Sequence, residues 1–354
     1  MNSLSAANTR FAFDLFQQFK TSKKGDNIFF SPLSISSALA MTYLGAKENT
    51  ALEIGKVEKM ENVHHQFQKL LTELKKPTDA YELNMANKFY GEKKYQFLQF
   101  HLACYTFNLN PRRPLSFFFP FAEKIKDMFP KDSLNHTILV LVNAVYFKGQ
   151  WDTKFDTKNT VEKEFWLDKD TSKPVQMMRQ SNVFNFTSLE DLQAKILEIP
   201  YKGKDLSMML LLPHEVDGLQ KLEDQLTAEN LIEWTSSQNM SNGQVDLYLP
   251  RFKVEESYEL KATLKALGMV DAFNTKRANF SGMTGRQDLV VSKVRHKSFV
   301  EVTEEGTEAA ASTDVEVIAK SAPIYPFHCD HPFLFFIKHN KTNSILFLGR
   351  VSSP

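Results

Sequence analysis

Few groups in this sequence are placed to do chemistry. Its two cysteines, Cys104 and Cys329, cannot make a disulfide framework. Both are expected as free, buried or half-buried thiols in a reducing compartment. His64 and His65 form the one adjacent histidine pair, on a polar helix turn that favours solvent over a metal. No glycine-rich phosphate loop, paired-cysteine zinc site or nucleophile elbow is present. No Ser, His and Asp stand together for nucleophilic catalysis. The expectation is a protein that is not an enzyme and needs no cofactor or metal.

The informative stretch is EEGTEAAASTDVEVIAKSAP, Glu304 to Pro323. Small side chains and Gly306 suggest a mobile loop, but the period is that of a strand. Thr307, Ala309, Ala311, Thr313, Val315 and Val317 fall on one side, and Glu308, Ala310, Ser312, Asp314 and Glu316 on the other. Such alternation marks a half-buried strand, which a permanent loop would not need. Two states are expected of this segment, exposed loop and inserted strand.

The elements that must position it follow from periodicity. Asn8–Lys20 carries Phe11, Leu15 and Phe19 on one helical face. Ser31-Pro32 opens a helix that ends at Gly45, Asn49-Thr50 begins another, and Asn62–Lys75 is amphipathic. Ile138–Phe147 is a near-continuous apolar run, as in a strand covered on both faces. Leu206–Leu212, Val245–Leu249, Leu289–Val294, Phe333–Ile337 and Ile345–Leu348 read as further core strands. Helices early and strands late make an α+β single domain over residues 1–354. With 354 residues, 42% of them hydrophobic, the chain can bury a sizeable core. Its 43 basic and 42 acidic side chains argue against a nucleic-acid binder. No run approaches the ~20 apolar residues of a membrane span. Met1–Ala7 is polar and reads as no export signal. A cytoplasmic monomer is expected, with release without a cleaved signal peptide as the alternative.

Several stretches together resemble the serpin family: EEGTEAAAS (Glu304–Ser312), HPFLFFI (His331–Ile337), NIFFSPLSIS (Asn27–Ser36), LVNAVYFKGQW (Leu141–Trp151), LPRFKVE (Leu249–Glu255) and LGR (Leu348–Arg350). The chain is most similar to the intracellular, ovalbumin-like clade B, of the squamous cell carcinoma antigen type. The resemblance implies the serpin fold, with helices around a large mixed main sheet, smaller sheets and a reactive-centre loop over residues 304–326. It implies a suicide inhibitor: a protease attacks the loop, forms an acyl-enzyme, and is dragged across the molecule as the cut loop inserts into the sheet. Glu304, Glu305, Gly306, Thr307, Glu308, Ala309, Ala310, Ala311 and Ser312 would be its hinge. Counting from Gly306 places the reactive bond at Lys320-Ser321, and lysine suits the acidic pocket of a trypsin-like serine protease. Ser31, Ser34, Asn143 and His296 match the polar cluster where the strands part. Trp151 and an Arg251–Glu304 ion pair match the top of that opening.

Residues 100–121 depart from the family. They stand where an edge strand and most of the helix crossing the main sheet are expected, and Phe117–Phe121 reads like a translated splice-acceptor tract. Three functions therefore stay open: an inhibitor of trypsin-like serine proteases, a cross-class inhibitor of papain-like cysteine proteases, and a non-inhibitory or defective member. The partner is a protease in the first two.

Overall fold

A computed structural model describes residues 3–58, 64–91, 138–235, 239–305 and 323–354. Helix α1 (Ser3–Ser22) buries Phe11, Leu15 and Phe19 together with Phe13 and Phe16. Strand β1 (Ile28–Phe30) runs into α2 (Pro32–Gly45), whose start is fixed twice over. Pro32 occupies the first turn, and the Ser31 hydroxyl accepts the Ser34 N–H at 3.1 Å. Helices α3 (Glu48–Glu58) and α4 (His64–Leu74) follow.

Two mixed sheets form the body. The larger contains β1, β4 (Val161–Trp166), β5 (Ser172–Leu189), β6 (Ala194–Pro200), β7 (Leu206–Pro213), β8 (Ser241–Pro250), β11 (Tyr325–His328), β12 (Phe333–His339) and β13 (Ser344–Val351). Its main path runs β1-β13-β12-β7-β6-β5-β8-β11, with β4 paired on β5. The second sheet has the order β2-β3-β10-β9, from β2 (Tyr81–Gly91), β3 (Leu139–Gly149), β10 (Val291–Val302) and β9 (Phe252–Glu259). Aromatic rings join the two sheets: Phe347 of β13 lies 5.3 Å from both Phe147 of β3 and Phe29 of β1. Helix α2 packs against β2, β3 and β13 and is buried along most of its length.

Every expected core strand is present, though the run at Leu289–Val294 is the start of a longer strand, β10. Strands β2, β4, β5, β6, β9 and β11 were not foreseen. Three of the six positions in β4 are charged and only Phe165 is buried, so its period carries little signal. Cys329 is buried, and burial pushes its thiol well up from its ordinary value. Cys104, residues 100–121 and the side chains of His64 and His65 lie outside the described residues.

Candidate functional site: the seam between two parallel strands

In the second sheet β3 and β10 are parallel neighbours from Leu139 beside Val291 to Phe147 beside Val300, with one register shift between Val291 and Lys293. The outer pairs, β2 with β3 and β10 with β9, are antiparallel. The parallel seam is the joint at which a further strand, antiparallel to both neighbours, could be accommodated. Its polar groups are all but sealed from water.

Asn143 and His296 face each other across the seam as register partners, 1% and 0% exposed. The Ser31 N–H donates to His296 Nε2 at 3.1 Å, so that nitrogen carries no proton. The proton must then sit on Nδ1, which faces the Asn143 Oδ1 acceptor. On its other side the Asn143 amide donates to Ser34 Oγ at 2.6 Å, to the Ser34 carbonyl at 3.1 Å, and to Asn87 Oδ1. The Ser31 hydroxyl donates to the Leu346 carbonyl at 2.6 Å. This network ties β3, β10, α2 and β13 together at one buried point. Burial without a charged partner pushes His296 down to about 3, so it is neutral at physiological pH.

A second cluster holds the end of β10, where residues 306–322 begin. The Trp151 indole N–H donates to the Thr303 carbonyl at 2.9 Å, and its ring stacks on Tyr201 at 4.6 Å. Arg251, in the turn between β8 and β9, reaches both Glu304 carboxylate oxygens from Nε, at 2.7 and 2.6 Å. The Thr160 hydroxyl also donates to that carboxylate, and the Phe155 N–H to the Glu304 carbonyl at 3.1 Å. Glu304 is only 2% exposed. Burial works to raise its carboxyl, but the hydrogen bonds from Arg251 and Thr160 outweigh that and hold it below the ordinary value.

The structure thus brings Ser31, Ser34, Asn143 and His296 into one cluster and Trp151, Arg251 and Glu304 into another. Glu305 follows the second. Gly306, Thr307, Glu308, Ala309, Ala310, Ala311, Ser312, Lys320 and Ser321 lie outside the described residues. Sequence reasoning missed Asn87 and Thr160. Asn87 is the register partner of Asn143 across β2–β3, and its signal was an amide in an otherwise pleated, half-apolar run. Thr160 carries no comparable signal.

The comparisons assign this fold and these clusters to one class of protein, the serpins. The family model described as serpin (serine protease inhibitor) matches residues 6–109 and 122–354. The chain belongs to the serpin family. Serpin B4 of Homo sapiens is 57% identical over 392 aligned positions, covering all of both chains. Leukocyte elastase inhibitor of Equus caballus is 45% identical over 379 positions, with the same full coverage. Among solved structures, uncleaved ovalbumin matches with a TM-score of 0.90 at 37% identity, covering 100% of each chain. A cleaved, loop-inserted ovalbumin variant matches at 0.86 and 34%, again over both full chains. The relatives are clade B serpins, the class of the sequence resemblance.

Proposed function

We propose that the chain is a suicide-substrate inhibitor of trypsin-like serine proteases, working by insertion of residues 307–318 between β3 and β10. The observation that carries this reading is the parallel β3–β10 seam, with the segment leaving directly from the end of β10. A chain that turns back at Glu304–Gly306 enters antiparallel to both strands. Twelve residues match the lengths of β3 and β10, 11 and 12 residues.

Insertion exchanges one parallel ladder for two antiparallel ones. The net gain is on the order of 10 hydrogen bonds at roughly 1 kcal/mol each, comparable with the ~5–15 kcal/mol stability of a whole domain. In the proposed reaction the protease serine attacks the Lys320 carbonyl and the bond to Ser321 breaks, leaving the enzyme esterified to Lys320. At roughly 3.3 Å per residue, inserting twelve residues carries that ester about 40 Å. The side chains that would turn inward early, Thr307, Ala309 and Ala311, are small and uncharged. Ser31, Ser34, Asn143 and His296 act as the latch of the seam, and Trp151, Arg251 and Glu304 as the clasp at its mouth.

A second reading is a chain cut without trapping its protease. It is favoured by residues 110–121, which the family model skips, and by an alignment of 392 positions against a chain of 354 residues. Incubation with trypsin and with a papain-like protease, followed by denaturing electrophoresis, tests both. An SDS-stable complex with trypsin alone supports the first. Cleavage without complex supports the second, and a complex with the papain-like enzyme alone overturns the serine-protease assignment.

A further inference from the structure

The polar latch of the seam lies on one face of its sheet only. Side chains alternate along β3, so Asn143, Val145 and Phe147 point one way and Ala144 and Tyr146 the other. On β10 the same alternation sets His296, Ser298 and Val300 on the first face and Lys297 and Phe299 on the second. Tyr146 and Phe299 are register partners across the seam, as Asn143 and His296 are on the opposite face. Their rings stack, with centroids 5.0 Å apart and planes 14° off parallel. Both residues are buried, at 2% and 6% exposed. Lys253 of β9 caps the pair, its Nζ 4.9 Å from the centre of the Phe299 ring. Lys148 also reaches across to Glu301, at 3.8 Å, in a partly exposed ion pair that adds little.

The stack spans the one joint that insertion must open. Neighbouring strands lie about 4.8 Å apart, and a strand placed between β3 and β10 doubles that to about 10 Å. Aromatic pairs hold at centroid separations of roughly 4.5–7 Å. The Tyr146–Phe299 contact therefore cannot survive insertion. Nothing in the entering strand replaces it: on the matching face its first half offers Glu308, Ala310 and Ser312, none of them a ring. Phe347 touches Phe147 and Phe29 without crossing the seam, so those ring contacts are spared.

We propose that the Tyr146–Phe299 stack is a second latch on the seam, and that its breaking helps to set how fast the loop strand enters. Both are positioning residues, remote from the reactive bond. The proposal rests on the insertion reading above. Slower entry gives water longer to attack the Lys320 ester, which frees the protease serine and leaves a Lys320 carboxylate. The stack thereby bears on how much protease is trapped and how much escapes.

The test measures entry with no protease present. A synthetic peptide of residues 307–318 is incubated with the intact chain, and native mass spectrometry follows its uptake. Tyr146→Leu and Phe299→Leu keep apolar volume but remove the stack. Each should speed uptake about two- to tenfold, the rate equivalent of one aromatic pair. The double variant should be no faster than either single one, because both substitutions remove the same contact. Tyr146→Phe keeps the ring and should match the wild type, and Phe13→Leu, which loosens the core at α1 instead, should leave uptake unchanged. Wild-type rates in both Leu variants would overturn the latch and leave insertion standing. Equal acceleration by Phe13→Leu, or single effects that multiply in the double variant, would do the same. A wild-type chain that takes up no peptide would overturn the insertion reading, and the latch with it.

Discussion

Acid should loosen the β3–β10 seam through His296. The ring is neutral in the fold, with Nε2 accepting from Ser31 and Nδ1 facing Asn143, and burial holds it near a value of about 3. In the unfolded chain it titrates near ~6.5. Its folded value is depressed, so below pH ~6.5 the unfolded state binds a proton that the native state does not, and stability falls as the pH falls. The stabilising effect is fully present above pH ~6.5 and shrinks by roughly 1.4 kcal/mol per pH unit until the folded value is reached. Between pH 6.5 and 4.5 the loss is about 2 kcal/mol, a large share of a domain's ~5–15 kcal/mol. Asn143, Ser31, Ser34 and Tyr258 around the ring carry no charge in this window, so nothing nearby offsets the loss. His296→Gln keeps a neutral donor and acceptor but removes the titration. Urea unfolding of both proteins at four pH values from 7.5 to 4.5 is the assay. The wild type should lose about 2 kcal/mol more than the variant over the lower two units. Parallel pH profiles would refute the argument that a sealed, neutral His296 holds the seam.

The two clusters, the loop and residues 100–121 each carry shorter predictions. Arg251→Ala leaves the buried Glu304 carboxylate short of its main partner and should cost about 1–3 kcal/mol, largely restored by adding Glu304→Gln; no rescue in calorimetry would show that Arg251 acts otherwise. The Glu304 carboxyl is depressed, so its contribution is present above the unfolded value of ~4.3 and lost as the pH falls through the folded value. Lys320→Ala should abolish trypsin inhibition with heat stability unchanged, and retained inhibition kinetics would remove Lys320 from recognition. Thr307→Arg should turn an inhibitor into a substrate, because an unpaired charge would be buried early at a cost of several kcal/mol; cleaved wild type should gain thermal stability and the cleaved variant should not. Replacing residues 100–121 with the corresponding segment of the relatives should raise the fraction of trypsin held as covalent complex, and equal fractions would make that segment's departure immaterial.

The helices of the first third were legible because their apolar residues recur at helical spacing and Ser31-Pro32 supplies both a cap and a first-turn proline. The run at Ile138–Phe147 was legible because both faces of β3 are buried. Strand β10 was read only through Val294, for a physical reason: His296, Lys297 and Ser298 are polar yet buried. His296 and Ser298 are satisfied by Asn143 and by the Phe29 carbonyl at 2.6 Å, and Lys297 by Glu255 at 2.8 Å. A periodicity of apolar residues cannot register groups whose burial depends on partners distant in sequence. The same limit applies to the site. Ser31, Ser34, Asn143, Trp151, Arg251 and His296 came from a resemblance, since none is remarkable by type or spacing. Only the alternation after Gly306 spoke from the residues themselves.

The central claim is that the cut loop enters the seam between β3 and β10. Its most direct test is a crystal structure of this chain after cleavage at Lys320-Ser321. The account predicts residues 307–318 as a strand antiparallel to both neighbours, with Asn143 and His296 no longer register partners. A cleaved chain in which β3 and β10 still pair directly, with the Asn143–His296 contact intact, would contradict it.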